Sequence, residues 1–206
     1  MNYGKLLEGK TAVITNGDGM GRAIADLFLR HGADVAVGVN DFHTKNDCGK
    51  MYFIECDLTD EGSIESFYGE IDKIFPKINI IVNNPCAGYG SSLLESSEED
   101  DQRIINLYQT SIVKVMRIFW PKMLIAEKPS VIYISAADSS NPVYTAANGA
   151  FGGLTRVAAA EGWTREIRAN EIKTHGLCHD CAADTALFFA SEMSSYITGV
   201  TINIGT

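Results

Sequence analysis

The sequence predicts a doubly wound α/β domain: a parallel sheet of about seven strands with helices on both faces. Three observations carry this. Short apolar runs alternate with longer amphipathic ones along the whole chain. The first apolar run flows into a glycine-rich turn and then into a helical period. No repeat, low-complexity stretch or linker marks a boundary, so residues 1–206 read as a single domain.

Thr11 to Thr15 is a buried-strand pattern, followed by Gly17-Asp18-Gly19-Met20-Gly21 and by Arg22 to His31 at helical period. Asp34 to Val39 and Met51 to Cys56 read as the next two strands. Ile64, Phe67, Ile71 and Ile74 recur at steps of three and four, which places them on one helical face before a strand at Ile78 to Val82. Glu98 to Leu124 is a long helix that Pro121 is expected to kink or end early, because proline removes a hydrogen bond and clashes with the preceding turn. Val131 to Ser135 is a strand. Tyr144 to Glu161, rich in alanine and glycine, is a helix that permits close approach of a neighbour. Ile167 to Ile172 and Gly199 to Ile204 are the last strands, with a helix at Ala182 to Ser191 between them.

Composition bounds the function. Of 206 residues 46% are hydrophobic and 21% charged, enough for one substantial core without staples. A net charge of −9 opposes phosphate backbones and anionic membranes, which excludes nucleic acid and membrane surfaces as expected partners. No apolar run reaches the ~20 residues of a membrane span, and Met1 to Lys5 opens no secretory core, so a cytoplasmic protein is expected. Five cysteines, an odd number, favour free thiols over a disulfide framework. Cys178-His179-Asp180-Cys181 with His175 offers ligand types, but a lone CxxC lacks the second pair that makes zinc spacing specific, and no metal is expected.

Glycines between a strand and a helix let a backbone approach a pyrophosphate, which the helix N-terminus holds with its free N–H groups. Here the turn is accompanied by Gly19-Met20-Gly21-Arg22-Ala23-Ile24-Ala25, Cys56-Asp57-Leu58-Thr59, Asn83-Asn84, Asn106-Leu107, Tyr144, Ile167-Arg168-Ala169-Asn170 and Ile197-Thr198-Gly199. On these residues the chain resembles the short-chain dehydrogenase/reductase family over essentially its whole length. The resemblance implies a Rossmann-like fold and hydride transfer between NAD(P) and an alcohol or ketone. It implies a catalytic tyrosine at Tyr144, a supporting asparagine at Asn106, and cofactor contacts at Gly17, Gly19, Gly21, Asp57 and Asn83.

The departures from that pattern fall on the chemistry. The lysine expected four residues after Tyr144 is Asn148, and the expected serine is Ala136, leaving Ser135, Ser139 or Ser140 as stand-ins. Removing a positive charge ~4 Å from a phenolate at an effective dielectric of about 20 forfeits up to ~4 kcal/mol, or about three pKa units. Tyr144 is then expected to stay a phenol near neutral pH and to lack the tuning a general base needs. The glycine turn is one residue short and carries the carboxylate of Asp18. Val39 and Asn40, with Asp41 one place late, stand where NAD or NADP would be selected. Only about ten residues separate Val39 from Met51, too few for the usual helical crossover. Pro85 and Cys86 interrupt Asn83-Asn84 and Ala87-Gly88, the Ser135 to Tyr144 loop is short, and the substrate-covering segment after His175-Gly176 is cut.

Each feature also has a bland explanation: Tyr144 packs at a helix start, the glycines serve close packing, and the acidic run Glu95 to Asp101 is a solvated helix start. The expectation is therefore a subunit whose tyrosine, asparagine and serine (Tyr144, Asn106, Ser135) are vestigial and which binds no cofactor itself. It would support an active NAD-dependent alcohol dehydrogenase, with a 3-hydroxyacyl-CoA dehydrogenase as one form of it, through the helices at 101–124 and 144–161 and the last strand, with NAD in the partner. The alternatives are an atypical active NAD(P)-dependent oxidoreductase using Tyr144, and a non-enzymatic ligand-binding module.

Overall fold

The computed structural model describes residues 4–40, 50–86, 92, 94–136, 141–176 and 178–205. The strands are β1 (Thr11–Ile14), β2 (Asp34–Val39), β3 (Met51–Glu55), β4 (Ile80–Asn83), β5 (Ser130–Ala136), β6 (Arg168–Thr174) and β7 (Thr201–Ile204). They form a seven-stranded sheet in the order β3-β2-β1-β4-β5-β6-β7, with every pairing parallel. The helices are α1 (Met20–Arg30), α2 (Glu61–Ile74), α3 (Glu98–Ile105), α4 (Ser111–Leu124), α5 (Pro142–Gly162) and α6 (His179–Ala190).

Alternation along each strand divides the core between two faces. Val131 and Tyr133 of β5 pack with Phe67, Phe119 and Phe151 of α2, α4 and α5. Ile132 and Ile134 pack with Ile24, Phe28 and Ala186 of α1 and α6. Both faces are covered, which is why β1, β4 and β5 are buried almost end to end and largely apolar rather than alternating.

Local chemistry starts the helices. The Asp60 side chain accepts a hydrogen bond from the Gly62 N–H at the head of α2 (3.0 Å). Ser97 accepts from the Asp100 N–H (3.1 Å) ahead of four acidic residues that suit the positive end of α3. Asn141 accepts from the Tyr144 N–H (2.7 Å), with Pro142 in the first turn of α5.

The long helix differs from expectation in one respect. Pro121 does not end it at once: α4 runs three residues past the proline to Leu124. The irregularity lies upstream, where Asn106–Thr110 form a π turn between α3 and α4. At the C-terminal end β6 continues to Thr174, and α6 begins at His179 instead of Ala182. The expectation of free thiols is corrected for two of the five cysteines. Cys178 and Cys181, one helical turn apart with Cα atoms 5.3 Å from each other, are joined as a disulfide, so neither thiolate is available to a metal.

Candidate functional site

In an open parallel sheet ligands bind beyond the carboxyl ends of the strands where the order reverses, here between β1 and β4. A short network builds that end. The Asn84 N–H donates to Thr15 Oγ1 (3.0 Å), Asn84 Nδ2 donates to the Asn16 carbonyl (3.1 Å), and Asn16 Oδ1 accepts from the Asp18 N–H (2.9 Å). Thr15, Asn16 and Asn84 are all buried. Sequence reasoning passed over Thr15 and Asn16, although polar residues closing an apolar strand were their signal.

The glycines are held by sterics. The Gly17 N–H donates to the Gly38 carbonyl (2.7 Å), and a Cβ on Gly17 would stand 2.5 Å from Val37 Cγ1. On Gly21 a Cβ would stand 1.8 Å from the Asn16 carbonyl oxygen. Gly19 has φ +52°, and a Cβ there would lie 3.4 Å from His179 Nε2, so the imidazole at the head of α6 stands over the turn. Asp18 is solvent-exposed on the same turn.

Beside the turn a cavity of about 230 Å³ is lined by Asn16, Asn40, Asp57, Leu58, Cys86 and Arg103 among others. Asp57 is fixed in it: Oδ1 accepts from the Thr59 N–H (2.8 Å) and Thr59 Oγ1 (2.7 Å), and its own N–H donates to Ser63 Oγ (2.8 Å). Burial, and then the Asp57 charge, push the neighbouring Cys56 thiol up to about 12. Asn83 is fully buried; its Nδ2 reaches Met116 Sδ (3.3 Å), and its Oδ1 has no partner among the described residues. Asp41, the crossover segment at 41–49 and Ala87-Gly88 lie outside the described residues.

At the β5–α5 end the sequence-derived residues are engaged with the fold. Tyr144 is buried, its ring edge-to-face on Tyr108 at 5.2 Å. Asn148 is buried and spends both ends of its amide, accepting from the Ala136 N–H (2.9 Å) and donating to the Tyr144 carbonyl (2.9 Å). Ser135 is drawn away from the tyrosine: its hydroxyl donates to Glu171 Oε1 (2.6 Å), and Glu171 Oε2 accepts from Thr201 Oγ1 (2.6 Å). Glu171 lies directly opposite Thr201 across β6 and β7, whereas Ser135 pairs with Lys173 and reaches Glu171 diagonally, two residues along β6. Asn106 is exposed and accepts from Gln102 Nε2 (3.1 Å). Among the described residues no hydrogen bond joins Ser135 or Asn106 to Tyr144 or Asn148. Ser139 and Ser140 lie outside the described residues.

A doubly wound, Rossmann-like parallel sheet with a cavity beside its glycine turn defines the class, and comparison with known proteins defines the family. The short chain dehydrogenase family matches residues 10–185, and the chain belongs to it. A short-chain type dehydrogenase/reductase of Sinorhizobium fredii is 29% identical, with 97% of each chain covered. The 3-oxoacyl-[acyl-carrier-protein] reductase of Chlamydia muridarum is 26% identical, again with 97% of each covered. Both alignments, of 245 and 240 positions, are longer than this chain's 206 residues, so the relatives carry segments that it lacks. Among solved structures, a short-chain dehydrogenase/reductase of Serratia marcescens superposes with a TM-score of 0.89 at 22% identity, covering 97% of both chains.

The fit to a dinucleotide differs between the two ends. Beside the glycine turn the cavity of about 230 Å³ stays open between Asn16, Asp57 and Leu58. At the other end Asn148 brings no positive charge to Tyr144, and its amide is already committed to the backbone. Among the described residues no helix is long and apolar enough to cross a membrane.

Proposed function

We propose that this chain is a short-chain dehydrogenase/reductase subunit that supports a catalytic, NAD-dependent partner, an alcohol or 3-hydroxyacyl-CoA dehydrogenase subunit, and does not transfer hydride itself. The observation that carries the reading is Asn148, which stands where a charged group would tune Tyr144 and instead ties α5 to the end of β5. Between α4 and α5 a groove of about 460 Å³, lined by Met116, Trp120, Leu154 and Val157 with Arg117 and Glu161 beside them, supports docking of a related chain. Val157 is 56% exposed there, and β7 is an open sheet edge. In this reading NAD is held by the partner. Co-expression with related dehydrogenases followed by intact-complex mass measurement tests it: a mixed oligomer is expected, and a homodimer indifferent to every such chain overturns it.

The relatives favour a second reading, because they are named as dehydrogenases and reductases. In it the chain is itself an active NAD(P)-dependent oxidoreductase in which Tyr144 exchanges the substrate proton and the cavity beside Asp57 holds the adenosine. NADH binding and turnover by the chain purified alone select this reading; no NADH fluorescence change at millimolar concentration and no turnover reject it.

A further inference from the structure

We propose that Cys178 and Cys181 form a redox-active pair, a site of reversible thiol–disulfide exchange at the head of α6. The two sulfurs are bonded across a separation of three residues, with Cys178 preceding the first residue of a twelve-residue helix. A cross-link between residues already within one helical turn removes little freedom from the unfolded chain, since disulfide stabilisation grows with the length of the loop it closes. The bond is therefore poorly placed to serve as a staple. Its placement suits exchange. Cys181 is exposed and open to an incoming thiolate, whereas Cys178 is half-buried where the unsatisfied N–H groups of the first turn favour a negative charge. The remaining cysteines described, Cys56 and Cys86, are unpaired, so no other disulfide competes for the exchange among the described residues.

The reaction balances with a dithiol as reductant. One thiolate of the dithiol attacks Cys181 Sγ, the bond between the two cysteine sulfurs breaks, and Cys178 leaves with the electron pair as a thiolate. The second thiol of the reductant, deprotonated, then attacks its own sulfur in the mixed disulfide and releases Cys181. Two electrons pass to the protein, the two protons from the dithiol protonate the cysteines, and the reductant leaves as a cyclic disulfide. Oxidation by a glutathione-type disulfide runs the same exchange in reverse, with two reduced thiols released. The pair brackets His179, which stands over Gly19, so the exchange takes place at the rim of the nucleotide-type crevice.

The test equilibrates the native protein in mixtures of reduced and oxidised glutathione, quenches with acid and an alkylating reagent, and maps residues 178–181 by peptide mass. The expected result is one reversible two-electron transition, in which the dithiol-to-disulfide ratio changes tenfold for each tenfold change in the square of the reduced glutathione concentration divided by the oxidised glutathione concentration. A pair that remains as thiols in the most oxidising mixture overturns the proposal, as does a disulfide that dithiothreitol opens only after the protein is unfolded. Folded Cys178→Ser protein is expected to collect glutathione on Cys181. A folded variant that does not do so removes Cys181 as the attacked sulfur, and the wild-type titration decides the proposal if the variant does not fold.

Discussion

The two ends of the crevice use polar residues in opposite ways. Around the glycine turn Thr15, Asn16 and Asn84 bond to one another and to backbone, yet leave a cavity of about 230 Å³ beside Asp57. At the head of α5 the polar groups close on the fold itself: Asn148 on two backbone groups, Ser135 on Glu171, and Glu171 on Thr201. The first arrangement is a frame around a space, and the second is a set of struts. Family membership alone does not separate them, because the same fold can keep one and fill in the other.

Four substitutions break or sharpen this contrast. The largest effect is expected for Gly21→Ala, whose Cβ would stand 1.8 Å from the Asn16 carbonyl oxygen. Overpacking against backbone should cost about 3 kcal/mol, and for a chain of this size a thermal melt should fall by roughly 6–12 °C. A melt within 2 °C of wild type, a margin of roughly the shift expected for 1 kcal/mol, would show that the frame yields.

Asn148→Ala comes next, since it leaves the half-buried Ala136 N–H without its side-chain acceptor. A loss of about 2 kcal/mol is expected, readable in urea unfolding. An unchanged midpoint would mean that Asn148 is no strut. Gly19→Ala should cost about 1–2 kcal/mol, because φ +52° with ψ −106° lies outside the backbone regions open to a residue with a side chain. A larger loss in differential scanning calorimetry would trace to the His179 contact. The smallest effect is on chemistry: Asn148→Lys should give no measurable NADH production with alcohol substrates, because Ser135 remains bound to Glu171. Turnover from that single change would overturn the reading of a filled-in site.

The strands were legible wherever burial on both faces made them apolar. Asp34–Val39 coincides with its prediction, and β5 differs by one residue at each end. Polar tails hid the rest: Lys173 and Thr174 extend β6 because they pair with β5 and β7, a constraint that lies in other strands. The head of α6 was hidden in the same way, since Cys178-His179-Asp180-Cys181 reads as loop chemistry until the disulfide is seen. Of the candidate site, the strand-turn-helix setting of the glycines could be read directly, whereas the two backbone groups that Asn148 joins could not. The direction of Ser135 could not, because its partner Glu171 is set by strand register and is 36 residues away in sequence.

The π turn at Asn106–Thr110 has a consequence best expressed as helical phase. One extra residue in a turn rotates everything beyond it by about 100° relative to an uninterrupted α-helix. The stretch from Glu98 to Leu124 is thus one rod with two angular settings. Before the turn it exposes three carboxylate residues, Glu98, Glu99 and Asp100, and buries only Ile104; after it, Ile112, Val115, Phe119 and Met123 are all buried in the core. Removing a residue between 106 and 110 would restore a uniform rod, but only by swinging one half away from its neighbours. The irregular turn is therefore what lets an acidic surface segment and a core helix share one continuous axis.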